Sequence, residues 1–324
     1  MPIRNLWRAL PVLLASTLWP ASTALADEGA RPRPAFTGPL DALNPTALPP
    51  GVWVIEPYLS WNRGNGSFDD HRRYHHASPA SRQWGLALPI QYGITRNLSL
   101  HLILSAADRQ APGSPGVRAG DSIVRLLYQL THPDSQRSLP VISLTLAQAI
   151  PSGRYQHLQA SAVDGMGSGS RNTVLGINTQ TYFWLPQDHV LRLRANLYWT
   201  VLAPLTGLRG HTAWNTPADF DGSLRVGRQA SLDVAGEYTL KGPWVLVGEV
   251  IYSRFMPTRL YRNPPGQDRQ RFGGAPGGDS LVLAPAIEYN WNAWIGLIAG
   301  VEFTATGRNS SHRITPQIAL NMVF

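Results

Sequence analysis

The stretch "LRLRANLYW", residues 191–199, puts Leu191, Leu193, Ala195, Leu197 and Trp199 on one parity and Arg192, Arg194, Asn196 and Tyr198 on the other. A period of two is that of an extended strand, whose successive side chains point to opposite faces. The faces differ sharply in chemistry. One is apolar throughout, while the other carries two guanidinium groups that need water or counter-charges.

The same alternation recurs along the chain. "VWVIEPYLSWN" sets Trp53, Ile55, Leu59 and Trp61 against Val54, Glu56, Tyr58 and Ser60, and further stretches follow at 83–92, 98–105, 122–130, 141–150 and 173–184. Others lie at 228–239, 244–255, 280–289, 294–304 and 313–324. This makes about twelve strands of roughly ten residues, an even number at the length that crosses a bilayer when tilted.

The connections alternate in length. "RGNGSFDDHRRYHHASPAS" precedes the short "TRN", "DRQAPGSPGVRAG" precedes "THPDSQRSLP", and "PSGRYQHLQASAVDGMGSGS" precedes "LPQDH". Later, "LKGP" and "NWN" are short, whereas "MPTRLYRNPPGQDRQRFGGAPGGD" is long. Long loops at one end and tight turns at the other mark an antiparallel up-and-down transmembrane barrel; a soluble sandwich has no reason to sort them. Aromatic residues agree. Trp61, Trp84, Trp199, Phe255 and Phe303 fall near the long-loop ends of the apolar face, and Trp53, Tyr92, Phe183, Tyr238, Trp244, Tyr289 and Phe324 near the turn ends, as two interfacial girdles.

Ahead of the strands the pattern is different. Arg4 and Arg8 precede "ALPVLLASTLWP", and "ALA" at 24–26 meets Asp27, which is the layout of a secretory signal cleaved after Ala26. Residues 27–50, "DEGARPRPAFTGPLDALNPTALPP", are Pro-rich and aperiodic, and read as an extended leader; an exposed linker is the expected state, with threading into the lumen the alternative. The barrel proper is expected over 51–324. The chain has no cysteine, so no disulfide framework is available. A net charge of +8 could suit nucleic acid, but export argues against that partner. Lys241 is the sole lysine; the arginine excess reflects base composition or pairing with lipid phosphate and lumenal carboxylates.

The motifs "LNPTALPPGVWVIEPYLS", "AGDSIVRLLYQL", "AQAIPSGRY", "GMGSGS" and "GEYTLKGPWVLVGEVIYSR" together resemble the outer-membrane, transporter-like barrels of the meta-pathway of phenol degradation family, across nearly the whole mature chain. That resemblance implies a barrel in the outer membrane of a Gram-negative bacterium and passive uptake of small hydrophobic or aromatic solutes. Its expected partners are outer-membrane lipid, the solute and the barrel assembly machinery. The last strand, alternating to a final Phe324, resembles the signature that this machinery recognises.

On the polar parity lie Glu56, Asp121, Arg125, Arg192, Arg194, Asp233, Glu237, Glu249, Glu288 and Glu302. Ionisable groups at membrane depth face water or each other, so these are the expected lumen-lining residues, acting as a structural ion-pair network, a selectivity lining or both. "DDHRRYHH" gathers Asp69, Asp70, His71, His75 and His76, which could hold a transition metal; a solvated loop is the expected state, and no metal or cofactor is called for. "DGMGSGS" has a Gly-x-Gly run outside any βαβ pattern, so it is not a dinucleotide site. His101 and Ser105 share the polar parity, but with no third orienting group they make no catalytic pair. The alternatives to a channel are a structural or adhesive barrel, a lipid hydrolase and a soluble secreted β protein.

Overall fold

The computed structural model describes residues 34–111, 114, 116–132, 139–159 and 164–324. The expected signal segment and the first part of the leader lie outside them. Twelve antiparallel strands close into a barrel. In order they are Tyr58–Phe68, Tyr74–Gly93, Leu98–Arg109, Ser122–Gln129, Val141–Ile150 and Thr173–Trp184, then Val190–Leu202, Gln229–Thr239, Trp244–Phe255, a tenth in two pieces (Gly278–Leu283 and Ala286–Asn290), Ile295–Arg308 and Ser310–Val323.

Closure comes from the ends of the sheet. On the twelfth strand Gln317, Ile318 and Ala319 stand opposite Ser60, Leu59 and Tyr58 of the first. A short strand, Trp53–Ile55, pairs with both the twelfth and the second strand and fills the seam at the turn end. Because the first and twelfth strands pair, the barrel sheet leaves no open edge to face hydrocarbon among the described residues. The tenth strand breaks at Pro285, which has no N–H to give. Its carbonyl still accepts from Val301 N–H at 3.1 Å, and Ala284 N–H donates to the Glu249 carbonyl at 2.9 Å, so the ladder is bridged across the break.

Alternation decides the two surfaces. Within 191–199 Arg192, Arg194 and Asn196 are buried, whereas Leu193 and Leu197 are exposed. The exposed row continues through Leu144, Leu146, Leu232, Val234, Leu246, Val250 and Ile318 on neighbouring strands. A soluble monomer rarely shows an apolar surface of that extent, so the belt matches a bilayer. At its turn end Trp53 packs on Tyr92 with ring centroids 4.4 Å apart, and Trp244 on Tyr289 at 4.7 Å.

Phe255 departs from the expected girdle. It stands opposite Gln229 in the register that sets Ile251 opposite the buried, inward Asp233, so Phe255 is on the inner row. The stretch "VIYSRF" carries apolar residues on both parities, which hides its facing from sequence. Two loop regions also differ from expectation. Residues 63–81 are not an open loop: the first two strands extend as a hairpin beyond the wall and turn only between Phe68 and Tyr74. The connections after Leu202 and Phe255 fold together as a four-stranded sheet of Thr206–Arg209, Asp221–Arg225, Thr258–Arg262 and Gln270–Ala275. Leu208, Phe220, Leu224 and Leu260 form its small core, with Tyr155 and Trp214 packed against it.

Candidate functional site

The inner wall is defined by the residues that alternation turns away from lipid, and by the leader that lies against them. Residues 34–50 run inside the barrel rather than as an exposed linker. Thr37 and Gly38 N–H donate to the Glu288 carboxylate at 2.7 and 3.2 Å. Asp41 and Ala42 N–H donate to Glu249 at 3.2 and 2.6 Å. Further along, Ala47 N–H donates to Gln129 Oε1 and Leu48 N–H to Ser99 Oγ, both at 2.8 Å. An irregular segment with no sheet partner would otherwise leave these donors unmet, and carboxylate acceptors make stronger bonds than neutral ones.

Apolar contacts hold the same segment. Leu40 packs with Val245, Val247, Ala284, Ala286, Ile298 and Ala319, all buried and all on the inner row at the turn end. Burying one such leucine contributes about 1.5–3 kcal/mol. Phe36 packs against this cluster, and the Arg192 guanidinium carbon lies 4.1 Å from the Phe36 ring centroid, a cation–π contact. Gly38 adopts φ +124°, and a Cβ there would meet Arg194 Nη1 at 3.3 Å, so the chain needs glycine at this bend.

The charged wall is largely self-compensated. Arg192 makes a two-pronged contact with the fully buried Glu237, and Arg194 Nε lies 3.6 Å from the same carboxylate. Arg194 also donates to Gln180 Oε1 at 2.9 Å and to the Ala42 carbonyl at 2.8 Å, which ties the wall to the leader. Asn196 donates to the Leu43 carbonyl at 3.2 Å. Glu302 accepts from Gln317. Two groups are exceptions: Asp233 Oδ1 is buried without a hydrogen-bond partner, and the other group is Arg125. Its Nε is buried without a partner, no ion pair reaches it among the described residues, and it lines the cavity described below.

Asp121 acts at the rim. Its carboxylate accepts from Gly153 N–H at 3.1 Å and from both the N–H and the hydroxyl of Ser168 at 2.7 Å. Ser122 and Ser152 hydroxyls meet at 2.8 Å beside it. The stretches "AGDSIVRLLYQL", "AQAIPSGRY" and "GMGSGS" therefore converge on one latch that ties Ser152, Gly153 and Ser168 to the start of the fourth strand. The Gly-x-Gly run serves close packing there: a Cβ on Gly167 would lie 2.4 Å from the Gly153 carbonyl oxygen.

His101 is buried on the inner row opposite Arg125, and Ser105 gives its hydroxyl proton to the Asp121 carbonyl at 2.9 Å. The two are not joined. In the hairpin tip Asp69 accepts from His75 Nε2 at 2.9 Å and from His71 and Arg73 N–H at 2.8 Å. The His75 hydrogen bond, with those two backbone donors, brings its carboxyl down to about 2. The segment expected to be a solvated loop is thus a hydrogen-bonded hairpin turn, and no three-ligand metal cluster forms among the described residues.

Beside the leader lies a cavity of about 810 Å³. Its lining begins at Gln83 and Arg109 near the loop end and reaches Asn321 and Trp294 near the turn end. Leu40, Val54, Ile103 and Met166 supply apolar surface, and Gln91, Gln317 and His101 polar contacts.

The structure of an outer-membrane channel from Pseudomonas putida F1 superposes with a TM-score of 0.61, covering 88% of this chain and all of that one at 12% identity. The likeness is one of fold. A monoaromatic hydrocarbon channel, TodX, matches more loosely, at a TM-score of 0.44 and 12% identity over 85% of this chain and 91% of that one. The NanC porin does so at 0.43 and 9% identity, over 83% and 98%. No family model and no curated relative matches the sequence, so the resemblance to the phenol-degradation family stands on its motifs alone.

Sequence reasoning did not find the leader's seat. A signal for it existed: Val245, Val247, Ile298 and Ala319 are apolar on the parity that carries Glu249, Glu302 and Gln317, and they cluster at one end of adjacent strands.

Proposed function

We propose that this chain is a passive channel in the outer membrane of a Gram-negative bacterium, with the loop end outside, that admits small hydrophobic or aromatic solutes beside its leader. The observation that carries this reading is the cavity of about 810 Å³ left between leader and wall, lined from one end of the barrel to the other. Its apolar lining, with amide, histidine and charged side chains between, suits a flat ring with a polar substituent better than a sugar, which needs many hydrogen bonds along its path. Paired carboxylates and guanidinium groups leave little net field for selecting ions by sign. Motif resemblance to the phenol-degradation barrels supports the same cargo.

Uptake of labelled phenol and of a labelled hydrocarbon, in a deletion strain with and without a complementing copy, tests it. Slower uptake at low concentration without the gene, restored by the copy, is the expected result, with growth on sugar unchanged. Equal uptake in both strains would replace the transport reading with a structural or adhesive barrel.

A further inference from the structure

A second site lies on the outside of the wall. Arg171, Arg225, Arg228 and Arg259 surround an open cleft of about 720 Å³ whose lining includes no carboxylate. Its outward rows are those of the lipid belt: Thr173 stands opposite both Gln148 and Leu202, and Met256 N–H donates to the Arg228 carbonyl at 2.8 Å. Leu202 and Met256, 59% and 56% exposed, give the cleft an apolar lower edge.

Two features make these arginines unusual. None of the four guanidinium groups has a hydrogen bond or ion pair among the described residues, although nearby acids are used by other arginines: Asp221 lies 3.7 Å from Arg209, and Asp219 2.5 Å from Arg262. Moreover, Arg225 and Arg259 are directly opposite one another on adjacent strands. Like charges in that register destabilise a sheet unless an anion lies between them.

Height identifies the anion. On the ninth strand the outward row carries Trp244 and Tyr252 at either side of the apolar belt, and Met256 follows Tyr252 by four residues. That is about 13 Å of strand, or about 10 Å along the membrane normal at the usual tilt. The cleft therefore stands at the level of lipid headgroups. Arginine forks grip phosphate oxygens in pairs, and Leu202 and Met256 would meet the acyl chains beneath.

We propose that this cleft binds the phosphate of a phosphorylated glycolipid in the outer leaflet. The site rests on the orientation proposed above but not on the cargo. Full-length protein purified in detergent is titrated with lipid A carrying both phosphates, with the same lipid after enzymatic dephosphorylation, and with inorganic phosphate. The expected result is at least tenfold tighter binding of the phosphorylated lipid than of the dephosphorylated one. Arg225→Gln with Arg259→Gln should remove that preference, Arg209→Gln should leave it, and excess inorganic phosphate should not compete. Equal binding of the two lipids, an unaffected folded double variant, or full competition by inorganic phosphate would each overturn the proposal. If the double variant does not fold, the comparison of the two lipids on the unmodified protein still decides. Mobility of unboiled and boiled protein on gels, and solute uptake, report separately on the barrel and on its cargo.

Discussion

At the scale of single residues the buried Arg192–Glu237 pair sets the stakes of the inner wall. Removing one member leaves the other charged and buried, which costs about 3–5 kcal/mol, whereas removing both can be nearly neutral. Arg192→Leu should therefore lower folded stability strongly, and Arg192→Leu with Glu237→Leu should recover most of the loss, as read from urea midpoints of the folded band. On the outer row, Leu193→Arg costs about 2–4 kcal/mol near midplane with no such rescue. Arg125 has no hydrogen bond or ion pair among the described residues, so under the proposed channel function its guanidinium would be open to a passing solute. Arg125→Glu should shift the reversal potential under a salt gradient toward cations, and an unmoved potential would place Arg125 off the path. Asp69 yields a pH prediction. Its carboxyl is depressed from 3.8 to about 2 by the His75 hydrogen bond and two N–H donors, so its support of the hairpin tip is complete above 3.8 and is lost as pH falls through about 2. Amide exchange at 69–75 should stay slow at pH 5 and quicken only in strong acid, and Asp69→Asn should quicken it at pH 5.

Among elements, the strands were legible and the leader was not, for a physical reason. Strand facing is a local property: Leu193 and Arg194 declare it by being neighbours of opposite chemistry. The leader's bonds use the main-chain N–H groups of Thr37, Gly38, Asp41 and Ala42, which nearly any residue could supply, so composition shows only a Pro-rich tract. Short strands such as Asp221–Arg225 are equally silent, since their register is set by partners as distant as Leu260 opposite Leu224. Asp121, one of the ten expected lumenal residues, is drawn to the rim, because Ser168 and Gly153 reach it from a loop that sequence could not place. The leader now gives a sharper experiment than its deletion. Leu40→Asp would bury a carboxylate among Val245, Val247 and Ile298 without a partner, which should expel the segment and leave the wall intact. Single-channel conductance should rise to that of a chain lacking residues 27–48. If both variants conduct like the unmodified protein, the leader does not restrict the path.

For the whole molecule the decisive relation is the one most distant in sequence, the pairing of first and twelfth strands. Hairpins between successive strands form locally, but closure joins residues about 260 positions apart, such as Leu59 and Ile318. Without that seam the sheet would keep two bare edges in hydrocarbon, each unpaired group costing several kcal/mol. Directly opposed residues in an antiparallel pair have Cα atoms about 4.5–5.5 Å apart, within the span a disulfide accepts. The native chain contains no cysteine, so an introduced pair has no competitor. Leu59→Cys with Ile318→Cys, oxidised in the folded state, should cross-link as completely as the hairpin control Leu59→Cys with Leu86→Cys. After boiling without reductant, the seam variant should run as a closed loop with altered mobility, while the control should run close to the linear chain. Cross-linking in the control but not across the seam, in protein that still shows heat-modified mobility, would mean that the wall is open between its first and last strands in the membrane.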